Sequence, residues 1–226
     1  MKKIKYYLAF TSKIYRRNLL LFPVLVVLGN SAVCMLNNRY LKGGSMVTSF
    51  EMEMLLIVYL MHELMTDTSL VSGLAGKRLN EFTAFLSSPR GMEVFRGGLE
   101  IDLFRKAVSL AVSLGLIAAV NLAFYGESRI TFFYGVQCFT FIYGVMTLTL
   151  MIARLFQNAL VNILLFYVVI FGVNAFGTHL ATKGHASWLR EGQPFYVVLG
   201  IVLAAVSCVG TVWISVRKGR NAYYDG

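Results

Sequence analysis

Six apolar stretches dominate this 226-residue chain, each close to the length that a helix needs to cross a lipid bilayer. They run over Leu19–Leu36, Glu53–Leu74, Ala107–Tyr125, Phe132–Ala153, Ala159–Phe176 and Phe195–Val216. A spanning helix takes about 20 mostly apolar residues, because only a helix or a closed barrel satisfies its own backbone polar groups in hydrocarbon. The composition agrees, with 57% hydrophobic and 14% charged residues. The expected fold is an all-α membrane protein with six transmembrane helices.

Lysine and arginine set the orientation. With a cytoplasmic N-terminus, six spans put Lys2, Lys3, Lys5, Lys13, Arg16, Arg17, Lys77, Arg78, Arg90, Arg96, Arg105, Lys106, Arg154, Arg217, Lys218 and Arg220 inside. Arg39, Lys42, Arg129, Lys183 and Arg190 fall outside. Sixteen against five is a strong positive-inside bias. Both termini are expected in the cytoplasm, and the protein in the cytoplasmic membrane of a bacterium. The net charge of +10 then sits at membrane flanks, facing anionic lipid rather than nucleic acid. The first apolar run has no small-residue cleavage site, so no N-terminal processing is expected. Cys34, Cys138 and Cys208 all lie within spans, where packing rather than a disulfide framework explains them.

Residues 1–17 read as a different kind of helix. At 100° per residue Ile4, Tyr7, Leu8, Phe10, Thr11, Ile14 and Tyr15 share one side, opposite Lys2, Lys5, Ser12, Lys13, Arg16 and Arg17. A basic amphipathic helix of this sort lies in the headgroup plane, with an elbow before Pro23. Residues 18–216 then form the transmembrane domain and 217–226 a basic cytoplasmic tail. Short links at Gly126–Arg129 and Arg154–Asn158 make spans three and four, and four and five, antiparallel neighbours. The outer loop Gly177–Pro194 carries His179 and His185, which read as surface residues rather than metal ligands.

The longest cytoplasmic connection, Gly76–Lys106, is too short for an independent catalytic domain. Its charged start at Lys77–Glu81 leads into a short turn carrying Phe82, Phe85 and Leu86, and Pro89 stops that turn. A second helix is predicted from about Met92 into span three, with Asp102 supporting Arg105 and Lys106 at i+3 and i+4.

The segment resembles the coupling-helix region of ABC-2 type transporter permeases. The matching residues are Lys77, Arg78, Glu81, Thr83, Phe85-Leu86, Ser88-Pro89-Arg90 and Glu93, with Phe82 where that pattern commonly has glycine and Ala84 where it often has an acid. The six-span layout, the interfacial elbow and the basic tail are similar to that family as well. The resemblance implies a permease subunit of an ATP-driven exporter, paired with a second copy or a homologous permease. It implies a coupling helix at about 77–89, on which Leu79, Glu81, Phe82, Thr83, Phe85, Leu86 and Pro89 meet a separate cytoplasmic ATPase. ATP and magnesium belong to that partner. This chain is expected to be no enzyme by itself: Gly73-Leu74-Ala75-Gly76-Lys77-Arg78 lacks the spacing and hydroxyl of a phosphate-binding loop.

Span two is the unusual one. Glu53, Glu63 and Asp67 fall within about 80° of one another on a helical wheel. Ionisable side chains at that depth face a bundle interior or a watery path, and are candidates for function. Two readings stand: a path for an amphipathic or cationic substrate (peptide, drug or lipid), or pairing with residues such as His62, Asn121 or Gln137 that fixes helix register or a dimer interface. The alternative class is an intramembrane hydrolase or peptide-processing enzyme using Glu63. The metalloprotease pattern His-Glu-x-x-His fails, because position 66 is Thr66.

Overall fold

The computed structural model describes residues 21–22, 24–25, 28–29, 62–63, 88, 90–125, 132–155, 164–165, 167–168, 171–172 and 194–224. Among the described residues all regular structure is helical, and no strand occurs. Three long helices organise them: α1 over Gly91–Tyr125, α2 over Phe132–Leu155 and α3 over Pro194–Tyr224. Two of these, α2 as a whole and α3 from Pro194 to Lys218, are long and apolar enough to cross a membrane.

The start of α1 is set locally. The Gly91 amide donates to the Ser88 carbonyl and the Val94 amide to the Arg90 carbonyl, each at 3.0 Å. Glu93 lies in the first turn, where an acid complements the helix dipole. From there α1 continues without a break for 35 residues, about 52 Å at 1.5 Å per residue. The helix expected near Met92 and span three are thus one rod. The same end of the bundle is closed across helices: Lys218 Nζ donates to the Leu155 carbonyl at 2.6 Å, satisfying a terminal acceptor of α2 with a cation from α3. Helix α3 runs on through Arg217–Arg220 to Tyr224, so the basic stretch is a helical extension.

The closest packing joins α2 and α3, and small residues make it. A Cβ on Gly200 would lie 2.8 Å from Thr140 Oγ1 and 2.9 Å from its carbonyl carbon, so only glycine permits this backbone approach. A Cβ on Gly144 would lie 3.1 Å from the Gly200 carbonyl oxygen. Further along, Thr147 Oγ1 and Ser207 Oγ share a buried hydrogen bond of 2.6 Å. Arg154 Nη1 then donates to Ser215 Oγ at 3.0 Å. Small residues and hydroxyls between helices are the usual means of association where no water drives it. Along these pairs the residue numbers of both helices rise together, so α2 and α3 run parallel. Helix α1 runs against α3: Phe95 and Leu99 pack near Val212, and Leu103 lies one bridging side chain from Cys208.

The expected interfacial helix at 1–17 lies outside the described residues. So do Leu79, Glu81, Phe82, Thr83, Phe85, Leu86, Pro89, Glu53, Asp67, His179 and His185. Of spans one, two and five, the described residues are helical.

Candidate functional site

The site begins with α1 residues one turn apart. Asp102 stands at i, and Arg105 and Lys106 at i+3 and i+4, so all three project from the same side of the rod. Arg105 Nε donates to Asp102 Oδ1 at 3.1 Å, and Lys106 Nζ reaches Asp102 Oδ2 at 2.7 Å. On an exposed helix such pairs are common and weak. Here Asp102, Lys106 and Glu63 are all fully buried.

Glu63 completes the group from another part of the chain. Arg105 clamps its carboxylate with both terminal nitrogens, Nη1 to Oε1 at 3.0 Å and Nη2 to Oε2 at 2.6 Å. Lys106 Nζ stands 3.8 Å from Oε2. This fork geometry gives the strongest form of ion pair, with charge and direction both matched. Among the described residues two carboxylates and two cations balance, which is the condition under which charges persist away from water. His62 places Nδ1 3.6 Å from Glu63 Oε1, and its ring stacks on Phe22 at a centroid distance of 3.7 Å and an angle of 14°.

The depth of this tetrad is fixed by its neighbours. Tyr143 donates its hydroxyl to the Leu103 carbonyl at 3.0 Å and lies 3.4 Å from Cys208 Sγ. Tyr143 is close to the middle of α2, and Cys208 lies well inside the apolar part of α3. The charges of α1 therefore sit at mid-length of α2, although the sequence places Arg105 and Lys106 with the cytoplasmic flank. Moving both out of the inner count leaves fourteen basic residues against five, so the bias keeps its sign.

Chemically, the arrangement is a lock. Four elements of the chain converge at one level: Phe22, the His62-Glu63 pair, α1 and the Tyr143 hydroxyl of α2. Both oxygens of Glu63 are engaged by Arg105, which leaves that carboxylate poorly placed as a general base. Among the described residues Arg105, Lys106 and His62 meet Glu63, and the sequence points to His62 alone of these. Among the described residues no group of three or more His, Cys, Asp or Glu side chains converges as a metal ion requires. Cys138 and Cys208 are free thiols. No family model, curated protein or solved structure matches the chain.

Proposed function

We propose that this chain is the membrane-spanning permease subunit of an ATP-driven exporter of the ABC-2 type. In this reading six spans cross the cytoplasmic membrane of a bacterium, preceded by the interfacial helix at 1–17, with both termini in the cytoplasm. The chain pairs with a second copy or a homologous permease and moves an amphipathic peptide, drug or lipid outward. A separate ATPase, holding ATP and magnesium, docks on the coupling helix at about 77–89.

The observation that carries the reading is the continuity between that segment and the buried tetrad. The motif Ser88-Pro89-Arg90 leads directly into the hydrogen-bonded start of α1, and α1 is an unbroken rod reaching Asp102, Arg105 and Lys106. A push on the coupling segment therefore acts on a helix clamped to Glu63. The helix directions agree with the threading: spans four and six run the same way and span three the opposite way. A parallel pair also needs a return segment, which in this reading residues 156–193 would supply as the fifth crossing.

Phe82, Phe85 and Leu86 form the apolar knob that the ATPase would bury. Truncating a large anchor at an interface centre typically costs about 2 kcal/mol, a loss of about thirtyfold in affinity. Phe85→Ala is expected to weaken co-purification of the ATPase, or uncouple its ATP turnover from transport, with membrane insertion unchanged. Arg220→Ala, in the basic tail outside that segment, is expected to do much less. Intact association and transport in Phe85→Ala would remove the main support for this function.

A further inference from the structure

An open groove of about 490 Å³ runs along the outer flank of α3, with Ala205, Val206, Val209, Gly210 and Trp213 in its wall. Its wall is apolar, and Val206, Val209 and Trp213 are 63%, 71% and 59% exposed. The groove ends at charge: the Arg217 guanidinium lies over the Trp213 ring, 5.2 Å from its centroid. One turn separates the indole from that guanidinium, and an indole beside a cation marks the level where apolar membrane gives way to headgroups.

We propose that this flank is a binding site for an anionic phospholipid, with an acyl chain lying in the groove and the phosphate accepting hydrogen bonds from Arg217. The proposal rests on the membrane reading above and adds a specific ligand to it. Two observations select the occupant. The described wall is almost wholly apolar, so it offers an acyl chain a channel with little polar surface to desolvate. The cation at its end is exposed, and no acidic residue occurs anywhere in α3. A second copy of the chain fits less well. A two-fold partner in the same membrane would place the same patch opposite itself, bringing Arg217 against Arg217. A neutral lipid would fill the groove equally, but gives the guanidinium no net charge to neutralise.

Trp213 reports the site. The chain has two tryptophans, so Trp188→Phe leaves Trp213 as the sole indole. The Trp188→Phe protein is reconstituted in phosphatidylcholine vesicles, and flotation establishes that it is retained in them. Phosphatidylglycerol brominated on its acyl chains is then titrated in, with brominated phosphatidylcholine as the comparison. Brominated phosphatidylglycerol is expected to quench Trp213 at about a fivefold lower mole fraction, the preference that one basic residue at a membrane surface confers. Arg217→Gln is expected to remove that difference while leaving the quenching itself. Equal quenching by both lipids would overturn the site and leave the membrane reading standing. Retention in vesicles without quenching would also overturn it, by showing the flank covered by protein. Failure to float would instead remove the membrane reading on which it rests.

Discussion

Replacing Glu63 by Gln removes one charge from a neutral, buried tetrad while keeping nearly the same shape. Among the described residues Arg105 and Lys106 then share Asp102, and the cluster gains one unit of positive charge at a level screened from water. Arg105→Gln does the reverse, leaving Glu63 and Asp102 with Lys106 as the remaining cation among the described residues. Breaking a buried ion pair from one side typically costs about 3 kcal/mol or more, because the remaining charge keeps its desolvation without its partner. Arg105 retains 13% exposure at its side chain, which lets water soften the loss and puts the expectation at the low end. We therefore expect about 3 kcal/mol for each single substitution. The double substitution Glu63→Gln with Arg105→Gln restores neutrality and leaves the 2.7 Å Lys106–Asp102 pair intact. It is expected to cost less than the two singles added, by about 2 kcal/mol of coupling. Equilibrium unfolding by titration with sodium dodecyl sulfate from mixed micelles, followed by circular dichroism, measures all three variants against the parent. Additivity within about 0.5 kcal/mol would refute the argument that these two side chains act as a unit. Single costs under about 0.5 kcal/mol would equally refute the burial argument.

The same titration separates two glycines. Gly200→Ala would set a methyl group 2.9 Å from the Thr140 backbone and is expected to destabilise by about 1–3 kcal/mol as α2 and α3 are forced apart. Gly115→Ala meets nothing within 4 Å and is expected to be neutral, or to stabilise by up to about 1 kcal/mol through helix propensity. For the topology, single cysteines in a cysteine-free background are expected to react with an impermeant maleimide in intact cells at Ser45 and Thr182. Positions 88 and 222 are expected to react only after the cells are opened.

Which parts of this arrangement were legible before the fold is clear from particular residues. Helices α2 and α3 announce themselves because hydropathy over about 20 residues needs no tertiary information. The start of α1 is equally local: Pro89 cannot continue a helix, and Glu93 suits a first turn. The depth of Arg105 and Lys106 was not legible. An acid followed by bases at i+3 and i+4 looks the same on a solvated helix as in a buried cluster, and the residue that decides between them, Glu63, lies 42 positions away. The signal available was the occurrence of acids within span two together with basic residues beside the next apolar run. The α2–α3 seam was readable in principle from small residues at helical spacing, Thr140, Gly144 and Thr147 facing Gly200 and Ser207. Which small-residue stripe finds which partner is a matter of topology, and a single chain of residues does not carry it.

The most direct test of the exporter reading uses Ser88, which is exposed immediately before α1. A photo-crosslinking amino acid at this position, activated in whole cells, is followed by mass spectrometry of the adduct. The account predicts a crosslink to a cytoplasmic subunit whose sequence carries a phosphate-binding loop of the Gly-x-x-x-x-Gly-Lys-Ser/Thr kind. Crosslinks solely to extracytoplasmic proteins, or to proteins without a nucleotide-binding motif, would contradict it.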